Sequence, residues 1–206
     1  MKESNSEQIE ESKTIEKEKV KLNRIWSFWE NYLKKNSTDY LLKEIFSFDD
    51  IISFWQFWNK YPGNDTKKIF YNGEYLTYFF KEKYRINGMN LFVKGIRPEW
   101  EDENNKGGKV FILEYEIKRG LDIFLSAVTD TWIKLLCFLM GEQLPFSNKI
   151  NGIRFVDKTK LGKGTIFKFE VWVNSSMKDE KEIDNLKSFL SKNFGCSGIL
   201  VKDIKE

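Results

Sequence analysis

Residues 109–118 alternate strictly: Phe111, Leu113, Tyr115 and Ile117 fall on one side of an extended chain, and Ile112, Glu114, Glu116 and Lys118 on the other. A strand with one largely polar side belongs in a sheet covered on a single face. Parallel sheets, buried on both faces, read instead as unbroken apolar runs. Further strands are predicted over 24–32, 91–96, 152–157, 165–173 and 198–204, the third and fourth of these five joined by a hairpin through Leu161-Gly162-Lys163-Gly164. Helices are predicted over 49–60, 121–140 (Gly141 in the C-cap position) and 178–193. The expected fold is α+β: a single domain in which an antiparallel β-sheet carries about three helices on one face.

The domain is expected to span 21–206. Residues 1–20 hold four lysines, six glutamates and no aromatic side chain, too little apolar surface to offset ordering entropy, so they are expected to form a disordered tail. The rest is aromatic-rich, with 7 Trp and 18 Phe in the chain, enough for one sizeable core. Residues 64–90 show no assignable periodicity.

The first predicted helix is unusual. Ser47 and Asp50 resemble a capping box, and Pro62-Gly63 ends the helix. Its apolar residues Ile51, Ile52, Phe54, Trp55, Phe57 and Trp58 cover roughly 220° of arc, wider than the stripe of an ordinary surface helix. One part of that arc is expected to face the core and another something else.

Several function classes are excluded. The chain has no histidine, which removes His-based triads, His metal ligands and the commonest general base. Cys137 and Cys196 form neither a metal-spaced cluster nor a disulfide framework, as suits a reducing compartment. The longest apolar run, 132–140, is broken by Lys134 and too short for a bilayer. The N-terminus, charged and polar, does not read as a signal peptide. A soluble cytoplasmic monomer, not an enzyme, without metal, cofactor or membrane partner, is expected.

One loop carries chemistry. Residues 98–109 read Pro-Glu-Trp-Glu-Asp-Glu-Asn-Asn-Lys-Gly-Gly-Lys. Trp100 offers a π-face for a cation, and Glu101 beside it can accept two parallel N–H donors. Guanine has two such donors on its N1/N2 edge, and N7-methylation makes the base positive, so one ligand would satisfy both groups. On the residues alone, Trp100 as a core anchor above a solvated acidic turn is an equal alternative.

Taken together, these segments resemble the messenger-RNA cap-binding family of translation initiation factor 4E. The resemblance rests on Asn23-Arg24-Ile25-Trp26-Ser27-Phe28-Trp29, Phe48-Asp49-Asp50-Ile51-Ile52-Ser53-Phe54-Trp55 and the loop from Trp100 to Lys109. Trp132 with Leu136-Cys137 and Gly141-Glu142 extends it. It implies a curved antiparallel β-sheet with three helices on its convex face, and 7-methylguanosine held on the concave side between two aromatic rings, Trp100 and Tyr40, the latter after a two-residue gap. It further implies that Glu101 reads the guanine edge and that Trp172 touches the N7-methyl group. Lys109, Lys158 and Lys168 would take the cap phosphates. On the convex face, Ile51, Trp55 and Ile133 would hold a scaffold initiation factor or a binding protein carrying a Tyr-x-x-x-x-Leu-hydrophobic helix, although the family's His-Pro pair is replaced by Val20 and Lys21. Residues 61–90 are longer than in typical members.

The leading expectation is therefore a factor that binds capped messenger RNA and recruits it for translation. The alternatives are a cap-binding repressor of the same family and a general single-stranded RNA-binding module without cap selectivity. A magnesium-dependent decapping enzyme using Glu101-Asp102-Glu103 is disfavoured, because adjacent loop acids point different ways.

Overall fold

Seven antiparallel strands form one sheet in the order β2-β1-β3-β5-β6-β4-β7. They are β1 (Lys21–Lys34), β2 (Tyr40–Asp50), β3 (Tyr84–Val93), β4 (Lys109–Ile117), β5 (Ile150–Asp157), β6 (Thr165–Val173) and β7 (Leu200–Asp203). The structure is a computed structural model, and it describes residues 20–34, 37, 40–66, 69, 84–117, 121–158, 165–196 and 198–205. The tail expected over residues 1–20 (Val20 apart), most of the long segment 61–90 and the 161–164 turn lie outside the described residues.

Among the described residues, the helices α1 (Ile51–Trp58), α2 (Leu121–Met140) and α3 (Glu180–Phe194) cover one face. On α3, Ile183, Leu186, Leu190 and Phe194 recur at helical spacing and are buried, while Asp179 caps the first turn and Gly195, at φ +65°, closes the last. Trp132 of α2 packs against Phe155 and Phe169 of the sheet at 5.6 and 6.1 Å. The curved antiparallel sheet with helices on one side is the fold class read from the sequence.

Three local expectations are corrected. The strand β2 runs through a stretch given no element, and it continues to Asp50, where α1 starts directly. The N-cap is therefore Asp50, which accepts from the Ser53 N–H at 2.8 Å, and no Ser47 box forms. The β3 strand ends at Val93 rather than continuing to Ile96. After α2, Gly141 follows Met140 in the expected C-cap position, and the left-handed residue is the next one, Glu142 (φ 53°). Its carboxylate accepts from Arg24 and Asn23 of β1, which fixes this turn against the sheet.

Behind α1, a buried carboxylate ties the chain together. The Tyr61 hydroxyl donates to Glu30 at 2.6 Å, and Tyr32 donates to its other oxygen. Burial, reinforced by Glu30, raises both phenols above the ordinary tyrosine range.

Gly152 of β5 permits a close approach: a Cβ there would sit 2.4 Å from the Phe92 ring and 2.5 Å from the Leu91 carbonyl oxygen. Gly152→Ala is expected to cost about 1–3 kcal/mol of stability. Denaturant unfolding beside the unaltered protein checks it, and an unchanged midpoint would contradict the clash.

Candidate functional site

The loop between β3 and β4 is a rigid frame rather than a solvated turn. Asp102 accepts from the N–H groups of Arg97 and Asn104 at 2.8 and 2.9 Å. Burial works against its charge, yet these bonds outweigh burial and hold the carboxyl below the usual aspartate range. Asn105, fully buried, donates to the Arg97 and Glu99 carbonyls at 2.8 Å each. Asn151 of β5 donates to Asn105 Oδ1 at 2.9 Å and pins the loop to the sheet. The three adjacent acids have separate fates, since Glu103 pairs with Lys106 at 2.6 Å and Glu101 has no partner among the described residues.

This frame presents Trp100 with 65% of its surface exposed. Trp100 is thus no core anchor. Its side chain borders a cavity of about 330 Å³ on the open face of the sheet, opposite the helices. Tyr40, at the start of β2 and 52% exposed, lines the same cavity, as does Glu101. Burial and the charges of Glu99 and Glu101 raise the Tyr40 phenol above its ordinary range, against Arg154 and Arg97, so it stays neutral at physiological pH.

Two cations border the cavity, Arg154 and Lys158, four residues apart on the same side of β5 and its continuation. Lys158 is exposed overall, but its ammonium is desolvated and held below the ordinary lysine range. The like charges of Arg154 and Lys168 add to this, while Glu170 and Asp157 oppose it. Asn87, also in the wall, keeps its Oδ1 buried and without a partner among the described residues, an acceptor that a bound donor would satisfy.

The sequence matches the eukaryotic initiation factor 4E family over residues 21–197. The chain belongs to that family. It is 29% identical to translation initiation factor 4E of Candida albicans over 153 residues, 72% of this chain and 64% of that protein. With isoform 4E of Arabidopsis thaliana the identity is 31% over 143 residues, 67% of this chain and 60% of the relative. The chain thus spans less than two thirds of either relative's length. Among solved structures, Ascaris suum eIF4E-3 with m7G cap superposes with a TM-score of 0.65 at 23% identity, covering 90% of this chain and 92% of that one. A schistosome eIF4E complexed with m7GpppA and 4E-BP gives 0.63 at 18%, with 90 and 88% covered. At these identities the structural likeness establishes the fold.

Of the residues this family resemblance implied, Tyr40, Trp100, Glu101 and Lys158 come together at the cavity. The other three do not line it. Trp172 of β6 faces the same side but is fully buried with Phe92, Val110, Ile112 and Ile204, under the guanidinium of Arg154. Lys168 pairs with Glu114 at 2.6 Å, and Lys109 pairs with Asp203 of β7. On the helix-covered side, Trp55 and Ile51 of α1 and Ile133 of α2 are half-buried, packed on the core with part of their surface open. Sequence reading missed Arg154, Glu99 and Asn87. For Arg154 the signal was available, because Gly152, Arg154, Val156 and Lys158 share one side of a strand by alternation alone.

Proposed function

We propose that this protein binds the 7-methylguanosine cap of messenger RNA between Tyr40 and Trp100 and, through a partner held on its helix-covered face, delivers the message to translation initiation in the cytoplasm. The observation that carries the reading is the convergence, in one cavity, of two partly exposed aromatic rings with two cations and a carboxylate that has no partner among the described residues. A cationic flat base stacks on the rings, Glu101 accepts its N1 and N2 hydrogens, and the cations meet the phosphates. Binding of this kind needs no catalytic group. The solved relatives support both halves of the reading, one as an m7G cap complex and another, Caenorhabditis elegans eIF4E-3, as a complex with the 4E-binding protein Mextli.

Tryptophan fluorescence titration with 7-methyl-GTP against GTP tests it. Sandwiching desolvates the methylated base, and a desolvated cation over an aromatic face is worth about 2 kcal/mol. A preference of roughly thirtyfold for 7-methyl-GTP is expected. Equal binding of the two nucleotides would overturn the cap assignment, and equal binding of capped and uncapped RNA would favour a general single-strand binder.

A further inference from the structure

Arg154 sits at the centre of a ladder across the open face. Ile112, Glu170, Arg154, Asn90 and Trp29 are successive cross-strand neighbours on β4, β6, β5, β3 and β1. An arginine in mid-sheet with a side chain only 15% exposed is costly unless every contact is arranged for it. Here they are. Nε donates to Asn90 Oδ1 at 3.0 Å, and Nη1 donates to Glu170 Oε2 at 3.3 Å. The same Glu170 oxygen accepts from the Trp172 indole N–H at 3.0 Å, and the guanidinium lies over the Trp172 ring at 5.2 Å. Asn90 is oriented in turn by donating to Asn31 Oδ1 at 2.9 Å.

Asn90 holds Nε, Glu170 holds Nη1, and the Trp172 ring lies under the fork. The remaining N–H groups of Arg154 have no acceptor among the described residues, and the side chain borders the cavity beside Lys158. A fold needing only a filled sheet centre would do as well with an apolar pair at these two positions. Two cations set side by side repel in the free protein, and an anion between them relieves that repulsion.

We propose that Arg154 is a phosphate-binding residue of this cavity, gripping an anionic oxygen of the ligand's phosphate chain together with Lys158, with Glu170, Asn90 and Trp172 as the positioning residues that fix its fork. The assignment rests on the reading of the cavity as a nucleotide site. It gives Trp172 a role reached through Arg154 instead of through the base. A planar guanidinium held at Nε and Nη1 is pre-organised for a phosphate oxygen in a way that a lysine is not.

The test is a titration series with 7-methylguanosine, 7-methyl-GMP and 7-methyl-GTP on the unaltered protein and on Arg154→Met, Arg154→Lys and Glu170→Gln. Arg154→Met is expected to weaken 7-methyl-GTP by about tenfold or more while leaving 7-methylguanosine within about twofold. Arg154→Lys recovers part of the loss, and Glu170→Gln gives a smaller loss confined to the phosphorylated ligands. Because Arg154→Met strands the Glu170 charge, the double variant Arg154→Met/Glu170→Gln is measured beside it with a thermal melt of each. An unchanged 7-methyl-GTP affinity, or the same loss for nucleoside and triphosphate in a folded variant, would overturn the assignment. If the unaltered protein takes GTP and 7-methyl-GTP alike, the cap reading falls. Arg154 is then judged by the same comparison across guanosine, GMP and GTP.

Discussion

Alanine in place of Trp55 is expected to abolish binding of a Tyr-x-x-x-x-Leu-hydrophobic peptide while leaving the affinity for 7-methyl-GTP within a factor of about two to three. The geometry separates the two effects. Trp55 sits on α1, over the helix-covered face of the sheet, whereas Tyr40, Trp100 and Glu101 border the cavity on the other face. Distant sites without shared partners rarely couple by more than about 0.5 kcal/mol. A Trp anchor buried by a partner is worth about 2–4 kcal/mol at an interface, which is enough to remove measurable peptide binding.

The competing outcome is that Trp55 serves the core. Its helix neighbours Phe54 and Trp58 already do so, at 1 and 3% exposure, with Phe54 in edge contact with Trp55 at 5.0 Å. Phe54→Ala is therefore the control, with an expected loss of about 3–5 kcal/mol of stability. Thermal melts of the two variants decide. A Trp55→Ala melt as low as that of Phe54→Ala, with joint loss of cap and peptide binding, would make Trp55 a core residue.

How far the sequence discloses this fold depends on whether the period of each element survives its surroundings. The β4 strand keeps a clean alternation because it pairs regularly with β6 over its whole length, and it was legible. The β2 strand was not. Its pairing with β1 shifts register between Phe28 and Trp29, so Leu41, Leu42, Ile45, Phe46 and Phe48 never settle into period two. The helix start was misplaced by two residues for a related reason: the strand runs directly into α1, leaving no loop to mark the boundary.

The candidate site divides in the same way. Trp100 and Glu101 stand out because a large aromatic beside acids in a Gly-terminated loop is locally odd, and Tyr40 followed from the family pattern. The burial of Trp172 was not legible, since its ring is covered by Arg154, a diagonal neighbour on β5, and packed with Phe92, Val110, Ile112 and Ile204 from other strands and the C-terminal end. Lys109 and Lys168 read as free cations in the chain, and only the sheet register shows that Asp203 and Glu114 lie opposite them. Partners set by register are invisible to local patterns.

That distribution of partners ranks the residues that the family resemblance assigns to cap binding. Glu101→Ala is expected to weaken 7-methyl-GTP by about 2–3 kcal/mol, the value of a paired, charge-assisted contact in a semi-enclosed site. Of the two carboxylates in the cavity wall, Glu99 is engaged by Arg97 at 2.6 Å, while Glu101 is unpaired among the described residues and so remains open to a ligand's N–H groups. Lys109→Ala is expected to cost about 1 kcal/mol or less and to shrink further with added salt, because that ammonium is engaged by Asp203 and does not reach the cavity. Glu101→Gln should fall between wild type and Ala, since one carbonyl oxygen still accepts a base N–H while the charge is lost. Calorimetric titration of the three variants at two ionic strengths reads the order directly. A larger loss for Lys109→Ala than for Glu101→Ala would mean that phosphates, and not the guanine edge, dominate recognition.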